Sequence, residues 1–442
     1  MKNHPLKKIV SFQKNNEPVG IYSVCSANEY VIKAALLQGA KTKTPVLIEA
    51  TSNQVNQYGG YTKMKPIDFK EFVYKIADEV NFNKDNIFLG GDHLGPLTWT
   101  DMPEELAMKE ASKLIELYVL AGYTKIHIDT SMRLKDDDVN EPLSTEVIAR
   151  RGAALALVAQ NAYKELLKTN PNALAPVYIV GSEVPIPGGS TAAVDEGVQV
   201  TKVEDFKATY DTFHKAFIDN DLSDAWENVI AIVVQPGVEE KDAGCTEYDK
   251  AKAKDLMNAI KEYKNIVFEG HSTDYQTKQA LKELVDDGVG VLKVGPGLTF
   301  AMREALFALA FIEKELYKNT DVVQSDFINV LDDAMLANPK NWEKHYHGTP
   351  VEIALKRKYS FSDRSRYYMP TDSVSQSRNI LLNNLKNGVP LNLLSQFMPI
   401  QYTKVRDGLI NNDPESLIID RIVNTIDEYL QATRQEKLGY ID

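Results

Sequence analysis

Eight times in succession along this chain, a short run rich in β-branched residues gives way to a longer stretch with helical periodicity. The runs at 18–26, 44–51, 86–93, 125–131, 176–184, 229–237, 266–273 and 289–297 read as strands. Helical stretches follow at 27–39, from 66, and at 104–121, 147–168, 203–220, 248–263 and 298–317. The runs are nearly continuous in apolar residues, as strands buried on both faces must be. Eight strand-then-helix units is the count of a closed (β/α)₈ TIM barrel. A doubly wound open sheet would alternate in the same way, but no Gly-rich dinucleotide turn follows the first strand, which favours closure.

Beyond residue 320 the alternation stops. Helical patterns at 322–336, 341–358, 375–387 and 417–435 predict a barrel over 1–320 and an α-helical C-terminal extension over 321–442, packed on it without a flexible linker. A net charge of −12 argues against nucleic acid and anionic membranes as partners. No apolar run approaches the length of a membrane span, and the lysine-bearing N-terminus has no apolar segment of the secretory kind, so a cytoplasmic location is expected. Two cysteines, Cys25 and Cys245, are too few for a disulfide framework.

A barrel does its chemistry where its strands end. Those ends offer Glu49, the adjacent Asp92 and His93 between two glycines and a Gly-Pro stop, Asp129, Glu183, Gln235, Glu269 with His271, and Lys293. Such convergence suits an open site for Zn²⁺ or Mn²⁺, with His93 and His271 as nitrogen ligands and Glu183 and Gln235 as oxygen donors. The two glycines before Asp92 would let a ligand approach the backbone. His127, inside the fourth strand, is read as a hydrogen-bonded structural residue, as are His345 and His347. Lys293 serves either to neutralise interior carboxylates, Glu269 among them, or to touch substrate. Arg364 and Arg366 are read as surface or ion-paired residues, with a lid over an anionic group as the alternative.

Seven segments carry a family resemblance: residues 21–26 (IYSVCS), 47–62 (LIEATSNQVNQYGGYT), 90–96 (GGDHLGP), 183–189 (EVPIPGG), 232–238 (IVVQPGV), 271–277 (HSTDYQT) and 292–300 (LKVGPGLTF). Together they resemble the GatZ/KbaZ-type subunit of class II D-tagatose-1,6-bisphosphate aldolase. The resemblance implies a barrel of the class II aldolase type, with Asp92 as proton-transfer acid/base and His93 and His271 as metal ligands. It implies Glu183 as the fifth-strand carboxylate, with Asp129 a further catalytic candidate. The implied metal is Zn, with Mn, Ni and Co as alternatives. Catalytic relatives carry His on the sixth strand where this chain has Gln235, a weaker ligand.

The implied substrates are ketohexoses of the tagatose/fructose type or their phosphates, undergoing aldol cleavage or 4-epimerisation at C3–C4. The alternative is a non-catalytic subunit that stabilises and activates a separate aldolase chain. A homo-oligomer is expected. Ser52, Asn53 and Gln54 are candidate hydroxyl binders; Lys293 and the Gly295 to Gly297 turn opening a helix are the candidate phosphate contacts. A kinase reading finds no Gly-rich phosphate loop with Lys and Ser/Thr.

Overall fold

The structure, a computed structural model, describes residues 4–182 and 198–442. Ile21–Cys25, Val46–Thr51, Ile87–Leu94, Lys125–Ile128, Val177–Val180, Val229–Val234, Val267–Gly270 and Val289–Val294 are the eight barrel strands, all parallel. Each pairs with its neighbours in chain order. The first closes on the eighth, with Ile21 opposite Val291 and Val24 opposite Val294. A two-stranded ribbon, Glu239–Glu240 with Cys245–Thr246, lies in the loop after the sixth strand. The predicted (β/α)₈ barrel is therefore the observed fold. Part of the fifth predicted strand, from 183 onward, lies outside the described residues.

Side chains alternate across each strand, and the alternation sorts them into two apolar cores. Tyr22, Val24, Val46, Ile48, Leu89, Ile126, Ile128, Phe268 and Leu292 point outward against the surrounding helices. Ile21, Leu47, Phe88, Val177, Val267 and Val291 point inward. Leu6, Ile9 and Val10, on and beside the helix Lys7–Lys14, join the inner set. That helix was not expected from the sequence, and it plugs the barrel at the strands' N-terminal end.

Above the plug the interior turns charged. Ser23, Glu49, Lys125, Glu269 and Lys293 are all buried there. Lys125 Nζ lies 2.7 Å from Glu49 Oε1 and 2.6 Å from Glu269 Oε2. Lys293 Nζ lies 3.3 Å from Glu49 Oε2, and the Ser23 hydroxyl donates to Glu49 Oε1 at 2.5 Å. Gly90 makes this layer fit, because a Cβ there would sit 2.6 Å from Glu49 Cγ. A Cβ on Gly91 would sit 2.3 Å from Leu94 Cδ1. The space left by the two glycines is thus filled by the chain's own side chains, which corrects the expectation that it admits a ligand.

The C-terminal residues form the helices Phe327–Ala337, Pro350–Tyr359, Asp372–Leu385, Leu391–Phe397, Pro399–Arg406 and Pro414–Thr433. The expected helix at 341–358 starts only at Pro350, because Gly348 turns the chain at φ 133° and Thr349 opens a new helix with a capping box. The two short helices were not expected; Pro390 caps the start of the first and Pro399 is the first residue of the second, so prolines that read as breakers serve at helix starts. Pro414–Thr433 packs against the helices Glu29–Thr42, Lys278–Asp287 and Pro296–Leu316, and the Tyr429 hydroxyl donates to the Thr273 carbonyl at 2.8 Å. Among the described residues, no helix is long and apolar enough to cross a membrane.

Removing one member of the charged layer strands the others. Lys125→Met should cost about 3–5 kcal/mol in urea unfolding, since Glu49 and Glu269 would stay buried without their ammonium; a loss below about 1 kcal/mol would refute the coupling. His4 supplies a pH test. Its ring lies 5.3 Å from the Phe88 ring, Nδ1 accepts from the Leu6 amide at 3.1 Å, and Nε2 is buried without a partner. Burial, aided by Lys7, lowers its pKa from 6.5 to about 3. The unfolded chain therefore takes up a proton that the folded chain refuses. The stability this histidine contributes above about pH 6.5 is lost as pH falls, by about 1.4 kcal/mol per unit. His4→Leu should reduce the slope of stability against pH between about 6.5 and 4 by that amount, and an unchanged slope would count against the assignment.

Candidate metal centre

The third strand does something a regular strand cannot. Consecutive residues normally face opposite sides, yet both Asp92 and His93 are buried at the barrel mouth. Against the fourth strand, Gly91 pairs with Ile126 and Leu94 with Ile128, so three steps on one side match two on the other. This is a β-bulge, and His93 takes the left-handed conformation (φ 48°) within it. The extra residue is what gives both side chains to the mouth. Gly95 then passes close over the fourth strand's end, where a Cβ would come within 1.7 Å of the Asp129 carbonyl oxygen.

Three imidazoles meet here. The rings of His93, His127 and His271 lie 4.9 to 5.2 Å apart, centroid to centroid, in every pairing. One ligand atom from each, together with one from Asp92, lies within 4.8 Å of all the others. His127 belongs to the site after all. The sequence reading left it structural, but residues two apart on a strand face the same side, so it points inward with Asp129. That in-phase spacing was the signal available.

Each imidazole has one nitrogen on a carboxylate. His93 Nδ1 lies 2.7 Å from Asp129 Oδ2, His271 Nε2 lies 3.0 Å from Glu269 Oε1, and His127 Nδ1 lies 2.9 Å from Asp92 Oδ1. A carboxylate accepts, so His93 carries its proton on Nδ1 and His271 on Nε2. Their other nitrogens, His93 Nε2 and His271 Nδ1, are left with lone pairs. His127 Nδ1 also lies 3.1 Å from the His93 backbone N–H, and its Nε2 is buried without a partner. Nδ1 can serve only one of these two neighbours; with its proton turned to the Asp92 carboxylate, the partnerless Nε2 offers the third lone pair. A carboxylate behind each imidazole is how proteins orient histidines toward a metal.

The electrostatics agree. Burial opposes charge on Asp92, but His93 and Lys293 hold its carboxyl well below the usual range. Lys293 Nζ pairs directly with Asp92 Oδ1. Asp129 is likewise opposed by burial and held at about 2 by the His93 hydrogen bond and charge. Glu269 is opposed by burial and held down by Lys125 and Lys293. Burial lowers His271 to about 3, so it stays neutral. On His93 burial works downward too, yet Asp92 and Asp129 raise its pKa. Lys293 is also desolvated, yet Asp92 and its neighbours raise it well above the ordinary value, so it is an ammonium. Four buried carboxylates, Glu49, Asp92, Asp129 and Glu269, face two ammonium groups, Lys125 and Lys293. Two negative charges remain beside three nitrogen donors, and a divalent cation matches both the charge and the donor set.

The other predicted site residues are distributed unevenly. Asp92, His93 and His271 are brought together as expected. Gln235 spends its Oε1 on the backbone amides of Gly237 and Val238, at 2.8 and 2.9 Å, so it holds a turn; the third nitrogen donor comes from the fourth strand instead. Glu183 lies outside the described residues. Asp129 orients His93. Asn53, Gln54 and Lys293 line the cavity above the cluster, together with Asp274, Arg366 and Tyr367. Ser52 is buried, and its hydroxyl accepts from Thr98. The amides of Gly295 and Gly297, expected to hold a phosphate, both donate to Asp274 Oδ1, at 3.0 and 2.7 Å.

Because Asp129 raises the His93 pKa, Asp129→Asn in metal-free protein should lower the His93 midpoint, read from imidazole NMR titration. An unshifted midpoint would dismiss the pairing.

Known proteins fit this architecture. A solved structure described as a probable tagatose 6 phosphate kinase from Sinorhizobium meliloti 1021 shares 40% identity. It covers 93% of this chain and 100% of its own, with a TM-score of 0.84. Fructose-bisphosphate aldolase from Campylobacter jejuni aligns at 15% identity over 92% of this chain and 95% of that one, with a TM-score of 0.43. The family model described as D-tagatose-1,6-bisphosphate aldolase subunit GatZ/KbaZ-like matches residues 6–434, and the chain belongs to that family.

Proposed function

We propose that this chain is a divalent-metal-dependent enzyme acting on ketohexoses of the tagatose/fructose type or their phosphates, by retro-aldol chemistry at C3–C4. The single observation that carries the reading is the convergence of His93, His127 and His271, each backed by a carboxylate, on one buried point beside Asp92. A chain that only propped up a partner would have no physical need for such a cluster. Zn is the best match to a donor set of three imidazoles, with Mn, Ni and Co as alternatives. The ion would supply Lewis acidity toward the ketose oxygens.

The residues divide the remaining work. Asp92, held as a carboxylate, accepts the proton of the C4 hydroxyl as the C3–C4 bond breaks and its electron pair passes to the C3 fragment. Lys293 sits on Asp92 Oδ1 as a fixed cation, which stabilises charge developing beside it and keeps the lysine from acting as a free-amine nucleophile. Asn53 and Gln54 present amides to sugar hydroxyls from the cavity wall. Asp129 and Glu269 fix two of the rings. Release of the aldehyde half gives aldol cleavage; its rotation and re-addition gives 4-epimerisation.

The family description, with its word subunit, favours a second reading, in which the chain activates a separate aldolase. His93→Ala combined with His271→Ala separates the two. In the enzyme reading the purified wild type binds about one divalent ion per chain and converts a ketohexose or its phosphate. The double variant should lose the ion by elemental analysis and at least about 10³-fold in turnover. Full activation of a partner aldolase by that variant, with no turnover by the wild type alone, would establish the accessory role instead.

A further inference from the structure

We propose that this chain holds the terminal phosphate of its substrate on Arg366 and Arg378, in a second cavity beside the histidine cluster, and that it accepts one phosphate and not two. The inference rests on the sugar-acting reading above. It begins at the N-terminus of the helix Pro296–Leu316, where a barrel of this type ordinarily receives a phosphate. Here that place is filled from within. Asp274, 2% exposed, takes the amides of both Gly295 and Gly297, and Glu240, 5% exposed, lines the same cavity. A phosphate arriving there would have to displace one carboxylate and face another.

Two guanidiniums line the neighbouring cavity. A cavity of about 300 Å³ adjoins the first and shares Cys25, Gln54, Tyr61 and Arg366 with it. Arg378 lines it, with Ser375 and Thr62. Arg366 spends its Nη groups on the carbonyls of Ser362 and Asp363 and on the Tyr367 hydroxyl, none of them a charge. The Arg378 guanidinium lies 5.6 Å from the Tyr30 ring centroid, and its Nε is buried without a hydrogen-bond partner. Glu29 lines the cavity too, but it is exposed. Arg366 also lies in the field of Asp274 and Glu240, which line the first cavity with it, whereas Arg378 makes no ion pair among the described residues; two guanidiniums on one cavity suit an oxyanion that can take bidentate hydrogen bonds. Arg366, common to both cavities, joins that anion's site to the cavity lined by His93 and His271.

The test is calorimetric binding of fructose, fructose 6-phosphate, fructose 1,6-bisphosphate, a ketohexuronate and inorganic phosphate to the full chain, with and without metal. The 6-phosphate should bind at least about tenfold tighter than fructose, and the bisphosphate no tighter than the 6-phosphate. Arg378→Met should abolish that preference, while Arg378→Lys keeps part of it and controls for folding. Asp274→Ala should let the bisphosphate overtake the 6-phosphate. Equal binding of fructose and its 6-phosphate, a preference that survives Arg378→Met, a wild type favouring the bisphosphate, or a uronate binding tighter than the phosphate would each overturn the proposal. Phosphate binding through Arg378 in a chain with no metal affinity would sink the metal reading and leave this one standing; metal binding and turnover without phosphate preference would do the reverse.

Discussion

The charged layer inside the barrel is the constraint on which the rest of the structure turns. Burying Glu49, Glu269, Lys125 and Lys293 together is tolerable only because each charge meets an opposite one at hydrogen-bonding distance. An apolar layer of the same volume would serve stability as well or better. What the layer does instead is set the state of the mouth above it. Lys293 reaches up to Asp92 and keeps it ionised, and Glu269 turns His271 so that Nδ1 faces the cluster. The floor of the cavity is therefore electrostatically continuous with the layer below.

Backbone irregularity does the remaining positioning. A regular third strand would present either Asp92 or His93 to the mouth. The bulge supplies both from adjacent residues, at the cost of a left-handed histidine. Gly90 and Gly95 make the surroundings fit, one by yielding to Glu49 and the other by yielding to the Asp129 carbonyl.

The barrel was legible in the sequence because strand and helix periodicities differ and the strands are buried on both faces. Asp92, His93 and His271 were legible because they sit at strand ends, where such a fold does chemistry. His127 was not, since it lies one step inside its strand and only its phase relative to Asp129 marks it as inward-facing. Gln235 was misread for the opposite reason: it sits at a strand end, but whether an amide faces the cavity or caps its own turn depends on loop geometry that no pattern encodes. The Gly295 to Gly297 turn was expected to hold a phosphate, but its amides hold Asp274. Its occupant is another residue of the chain, and that follows from the seventh loop meeting the eighth, a tertiary fact.

The C-terminal helices are better understood through what they deliver to the mouth than through where the strand–helix alternation ends. Asp363, left-handed at φ 42°, accepts from Thr299 and Arg303 on the helix that follows the eighth strand, and so anchors the turn Arg364–Tyr367. That turn places Arg366 and Tyr367 in the cavity wall, opposite residues of the second and third strand ends. Tyr429, from the last long helix, holds the Thr273 carbonyl two residues past His271. The barrel alone would carry the three imidazoles and Asp92 but would lack one side of the cavity, so the histidine cluster and its enclosure come from different halves of the alternation pattern and are folded into one apolar core.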